Sequence, residues 1–115
     1  MLHVLVVDDE PSIRALVAAA LQTDELQVTG VGDGTSAIAS VEKAAPDLVL
    51  VDVGLPGMAG TEVLRRLRTN PETASIPVLL LTGLEPAGET GADGLVRKPF
   101  TLESLRSSVA NCLRK

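Results

Sequence analysis

The 115-residue chain contains no tryptophan, no tyrosine and a single phenylalanine, so whatever core it builds is aliphatic. It has one cysteine, which excludes an internal disulfide and favours a reducing compartment. Cys112 falls in register with Leu102, Leu105 and Val109, and reads as a small buried hydrophobe on a helix. No stretch approaches the roughly 20 apolar residues of a membrane-spanning helix. The N-terminus lacks a basic segment, and its apolar run is too short for a signal peptide. A soluble, cytoplasmic protein is expected, without membrane contact. Positive charge is scarce as well: 10 Lys and Arg stand against 15 Asp and Glu, a net charge of −5. That balance argues against a surface for nucleic-acid phosphates. The densest basic group, Arg65, Arg66 and Arg68, reads as a solvated helix face. The length suits one domain, residues 1–115.

What the chain does have is a repeating alternation. Leu48-Val49-Leu50-Val51 is an apolar run that stops at Asp52, before a turn rich in Gly and Pro (Gly54, Pro56, Gly57, Gly60). A short unbroken apolar run bounded by turn signals reads as a strand buried on both faces. Similar runs occur at Leu2–Val7, ending at Asp8-Asp9; at Leu26–Val31; at Val78–Leu81, ending at Thr82; and at Leu95-Val96, shortly before Lys98. Between them lie helical patterns. Pro11 opens the first, and Ile13, Leu16, Val17, Ala20 and Leu21 follow at helical spacing. Asp33 or Thr35 can cap the second, with Ala37, Ile38 and Val41 inward. The third places Val63, Leu64 and Leu67 inward and ends at Asn70-Pro71. Thr101 can cap the last. Strands alternating with helices imply an α/β domain, a doubly wound five-stranded parallel sheet with helices on both faces.

Open parallel sheets carry their chemistry just beyond the carboxyl ends of the strands. Parallel strands would bring Asp8, Asp9, Asp52, Thr82 and Lys98 to one edge. Each has an ordinary explanation alone: Asp8 and Asp9 as helix caps, Thr82 as a turn residue, Lys98 as a surface charge. Together they are more specific. Three nearby carboxylates repel unless a cation or proton neutralises them. An oxygen-only donor set without a His or Cys cluster suits Mg²⁺ best. A hydroxyl and an ammonium add the donors a phosphoryl group needs, so the set suits phosphoryl transfer to a carboxylate. His3 stands isolated on a strand, with no assigned role.

The motifs VVDDE (Val6–Glu10), DVGLPGMAG (Asp52–Gly60), LLLTG (Leu79–Gly83), GAD (Gly91–Asp93) and KPF (Lys98–Phe100) together resemble the receiver domain of two-component response regulators, the CheY-like family. The resemblance spans nearly the whole chain. It implies a flavodoxin-like sheet of order 2-1-3-4-5. It also implies that Asp52 is the phosphoacceptor for a sensor histidine kinase or histidine phosphotransfer protein. Asp9 and Asp52 would ligate Mg²⁺ with the backbone carbonyl of Gly54, and Asp8 would act through water. Thr82 would donate to the phosphoryl oxygens and Lys98 would pair with them, aimed by a cis Lys98–Pro99 bond. The kinase would dock near Ser12, Arg14, Ala15 and Phe100, and output would pass to a downstream protein effector.

Two departures from the family pattern stand out. Leu95 replaces the usual aromatic switch residue, and the Leu84–Gly91 segment is short and rich in Gly and Pro. The helix between the fourth and fifth strands is therefore expected to be reduced or missing, and output to use another or a remodelled surface. By the resemblance, Gly54 and Leu84 occupy positions whose side chains tune dephosphorylation in that family, and neither can orient a water, so self-hydrolysis should be slow. Two alternatives stay open. A degenerate receiver would serve only as a docking module. A haloacid-dehalogenase-type phosphohydrolase needs a second acid two residues after its nucleophile, where this chain has Gly54, and a cap domain that this chain does not supply. The leading expectation is a switching module that does chemistry only on itself, not a turnover enzyme.

Overall fold

The five apolar runs form one parallel sheet in the order β2-β1-β3-β4-β5. The computed structural model describes residues 1–83 and 91–113. Its elements are β1 (Leu2–Val7), α1 (Pro11–Leu21), β2 (Leu26–Val31), α2 (Gly34–Lys43), β3 (Leu48–Asp52), α3 (Gly60–Thr69), β4 (Val78–Thr82), β5 (Gly94–Arg97) and α4 (Leu102–Leu113). The alternation is the one the sequence pattern implies, and the sheet order is the one the resemblance implies. The expected shortened helix between β4 and β5 falls on residues 84–90, outside the described residues.

Side chains of successive strand residues point to opposite faces, and the helices divide accordingly. Val4, Val6, Leu48, Leu50, Leu79 and Leu81 pack with Val17 and Leu21 of α1 and Leu105, Val109 and Cys112 of α4. Leu5, Val7, Val49, Val51, Val78 and Leu80 pack with Ala37 and Val41 of α2 and Val63, Leu64 and Leu67 of α3. Every residue of β3 and β4 is buried, which explains why neither strand shows a polar alternation. Each Val or Leu removed from water contributes about 1.5–3 kcal/mol, so the core holds without aromatic rings. Helix starts are capped where hydroxyl or carboxylate side chains stand in reach. Asp33 accepts from the Ser36 amide at 2.7 Å, and Thr101 Oγ1 accepts from the Ser104 amide at 2.9 Å.

Three expectations are corrected. Leu102 does not face inward; it opens α4 and is 41% exposed, so the buried stripe begins at Leu105. Leu16 is likewise 40% exposed, on the flank of α1 rather than beneath it. Arg68 does not belong to a solvated face. Its guanidinium donates to the carbonyls of Ala74 and Ile76 at 3.0 and 2.6 Å and pairs with Asp93 at 2.7 Å. Asp93 also accepts from the Val78 amide at 2.8 Å, so the two side chains clip the end of α3 to the starts of β4 and β5. Arg65 and Arg66 do lie in solvent, and both reach Glu62. Their hydrogen bonds hold its carboxyl down at about 2.

Candidate functional site

Because the sheet is parallel, every strand delivers its last residue to the same edge. Asp8 follows β1, Asp52 ends β3, Thr82 ends β4, and Lys98 directly follows β5. Neighbouring strands keep these positions level: Asp52 lies opposite Leu81, and Thr82 lies opposite Arg97. The Lys98 amide donates to the Thr82 carbonyl at 2.8 Å, extending the β4–β5 pairing one residue further. The Lys98–Pro99 peptide is cis, as the resemblance implied.

Asp8 is fully buried. Its Oδ2 accepts from Lys98 Nζ at 2.8 Å, and its Oδ1 accepts from the Glu10 amide at 3.0 Å. Glu10 stands at the N-cap of α1 without a side-chain cap, so neither Asp8 nor Asp9 serves as the capping side chain. Lys98 Nζ also lies 3.5 Å from Asp52 Oδ1, which places one ammonium between two carboxylates. Burial works against the Lys98 charge, but the hydrogen bond to Asp8 and the two neighbouring carboxylates outweigh it. The net effect holds the ammonium above its usual range. Lys98 is therefore a cation through the physiological range.

The carboxylates of Asp8, Asp9 and Asp52 each offer an oxygen within 4.8 Å of the others. Among the described residues, three carboxylates meet a single ammonium here, so acid exceeds base around the carboxylate oxygens. A hard divalent ion with oxygen ligands fits that balance and that donor set. Gly54 touches Asp52 through its amide, which donates to Oδ1 at 3.3 Å. Repulsion among the acids makes a further outcome predictable. Asp9→Asn should raise the melting temperature in EDTA, and saturating Mg²⁺ should erase or reverse the difference. Differential scanning calorimetry under both conditions checks it.

Of the docking residues implied by resemblance, Ser12 and Ala15 are exposed, and Phe100 is half-buried. Phe100, Pro99, Ile13 and Leu16 line an apolar groove of about 350 Å³ that also reaches Lys98. Arg14 turns away from that groove, its guanidinium donating to the Asp8 carbonyl at 2.6 Å. Leu95 lies opposite Leu80 on the edge strand and is partly buried against the core cluster that includes Leu80.

The sequence places Gly60 at the end of the turn and the start of the third helix, which the structure bears out, but assigns it no part in the site. It is the first residue of α3, and its amide donates to the Val53 carbonyl at 3.1 Å. A Cβ there would collide with the Asp52 carbonyl oxygen and lie 2.8 Å from the Asp52 carbonyl carbon. The missing side chain lets α3 start directly against the backbone that carries Asp52. A glycine at the first helical position, where it lowers helix propensity, was the available signal.

Comparison with known proteins agrees with this fold. Residues 4–110 match the family model described as response regulator receiver domain. The probable transcriptional regulatory protein TcrX of Mycobacterium tuberculosis is 43% identical over 97% of the chain and 50% of its own length. The chain thus spans about half the length of that relative. Among solved structures, the chemotaxis response regulator CheY4 of Vibrio cholerae superposes with a TM-score of 0.91 at 34% identity, covering 98% of this chain and 99% of that one. The receiver domain of the sensor histidine kinase PA1611 from Pseudomonas aeruginosa, solved with a magnesium ion in its active-site cleft, gives 0.90 at 26% identity over 99% and 98%.

Proposed function

Since the chain belongs to the response regulator receiver domain family, we propose that it is a phosphorylatable switch whose acceptor is Asp52. A carboxylate oxygen of Asp52 attacks the phosphorus of a phosphohistidine on a sensor histidine kinase or histidine phosphotransfer protein. The phosphorus–nitrogen bond breaks, the imidazole leaves with its electron pair and takes up a proton, and an acyl phosphate remains on Asp52. The observation that carries this reading is the Lys98 ammonium held between Asp8 and Asp52, 2.8 and 3.5 Å away, at a sheet edge with three carboxylates.

Each residue then has a part. Lys98 pairs with the new phosphoryl oxygens, and Thr82 donates its hydroxyl to one of them. Asp8, Asp9, Asp52 and the Gly54 carbonyl would hold Mg²⁺, which when bound neutralises charge on the transferring group. Phosphoryl transfer asks mainly for positioning and electrostatic support, and a rigid sheet edge supplies both. Output passes to a downstream effector. TcrX, a probable transcriptional regulatory protein, is about twice this chain's length.

Leu95, a partly buried aliphatic side chain where the family usually carries a mobile ring, favours a second reading: a receiver that docks without being phosphorylated. Mass spectrometry after acetyl phosphate and Mg²⁺ separates the two. One phosphoryl adduct is expected, lost in Asp52→Asn and on chelation. A folded protein that gains no adduct is the docking module. Steady turnover of a generic phosphate ester would instead mark a phosphohydrolase.

A further inference from the structure

The Asp8 peptide is held from several directions. Its amide donates to the Val31 carbonyl at 3.1 Å, and its side chain accepts from the Glu10 amide and Lys98. Its carbonyl accepts from Arg14 Nη1 at 2.6 Å. Arg14 reaches this carbonyl from α1 by lying across the end of β2, where two residues lack side chains. A Cβ on Gly30 would stand 3.1 Å from Arg14 Cδ and 3.5 Å from its Cβ. A Cβ on Gly32 would stand 3.4 Å from Nη1. Neither glycine has the positive φ that a turn demands; among the described residues only Gly57 and Gly91 do. Gly30 therefore provides space rather than backbone freedom, and the space holds the arginine stem, whereas a Cβ on Gly32 would make only an ordinary contact with the guanidinium.

We infer that Arg14 is a positioning residue of the metal site, fixing the Asp8-Asp9 peptide through the Asp8 carbonyl with its stem lying over Gly30. The link to Mg²⁺ rests on the receiver reading above; the clamp on the peptide does not. The expected sign runs against simple electrostatics. A cation beside an acidic cluster repels a second cation, so charge alone would make Mg²⁺ bind more tightly once Arg14 is removed. Positioning predicts the opposite, because groups that orient metal ligands typically carry 10–100-fold in affinity.

Isothermal titration with Mg²⁺ and amide hydrogen exchange test this in the full chain. Arg14→Met should weaken Mg²⁺ binding by about tenfold, and Arg14→Lys, which keeps the charge, should recover part of the loss. Gly30→Val, which displaces the arginine stem with all charges retained, should act like Arg14→Met. In metal-free protein, Arg14→Met and Gly30→Val should speed exchange at the Asp8 and Glu10 amides while the amides of β3 and β4 keep their protection. Equal or tighter Mg²⁺ binding by Arg14→Met, or unchanged exchange at Asp8 and Glu10, overturns the assignment. If the unaltered protein binds no Mg²⁺, the receiver reading fails, and exchange alone decides the clamp.

Discussion

Gly60→Ala is expected to abolish phosphoryl incorporation at Asp52 and to destabilise the fold by about 1–3 kcal/mol, the usual cost of forcing extra volume into a packed interior. The added methyl collides with the Asp52 carbonyl oxygen and approaches Val53 Cα to 2.9 Å. These are backbone atoms, so no side-chain rotation relieves the clash. Either α3 withdraws, pulling Val63, Leu64 and Leu67 from the core, or the end of β3 shifts and carries the acceptor with it. Both outcomes are read together, by urea unfolding and by mass spectrometry after acetyl phosphate and Mg²⁺. Gly57→Ala is the matching control in the same loop. Gly57 has a φ of 76°, and a methyl there would meet nothing within 4 Å, so alanine strains the backbone without touching Asp52. It should cost about 1 kcal/mol and leave phosphoryl incorporation in place. Equal loss of incorporation in both variants would contradict a specific contact between Gly60 and the acceptor strand.

The second large effect is expected at Lys98. Lys98→Met preserves the aliphatic stem but leaves the Asp8 carboxylate fully buried and without its ammonium. Breaking a buried ion pair from one side costs about 3–5 kcal/mol when both partners are enclosed. Lys98 retains a fifth of its side-chain exposure, so a loss of roughly 2 kcal/mol is expected here. A double-mutant cycle with Asp8→Asn isolates the pair. Most of the loss should disappear when Lys98→Met is made together with Asp8→Asn, because the neutral amide no longer requires a counter-charge. A full loss in both backgrounds would mean that Lys98 supports the fold through its stem alone. Phosphoryl incorporation should fall in Lys98→Met whatever the stability outcome, since the cation beside Asp52 is gone.

Much of the site is legible from the sequence because of one geometric fact. In a parallel sheet, the first polar residue after each apolar run arrives at a common edge, so Asp8, Asp52, Thr82 and Lys98 can be collected without knowing any distance. The same reasoning cannot reach Gly60, Arg14 or Arg68. Gly60 matters through contact with the backbone at the end of β3, across the intervening loop. Arg14 matters through the space over Gly30 of β2, and Arg68 through the openings of β4 and β5. Helical spacing also misjudges Leu16 and Leu102, since periodicity marks the direction of a side chain but not how far the covering sheet extends.

Composition and spacing by themselves determined the parallel α/β architecture, the aliphatic core and the gathering of acids at one edge. Those follow from local rules: apolar runs long enough for buried strands, helical periods between them, and the right-handed crossovers that make successive strands parallel. The tertiary structure alone decided which charges are solvated and which are committed. Arg65 and Arg66 remain in solvent with Glu62, while Arg68 clips strand starts and Arg14 holds the Asp8 peptide. The physical reason is that a long cationic side chain goes to whichever carbonyls or carboxylates lie within reach. Those acceptors come from segments far away in sequence, brought near only by the packed sheet.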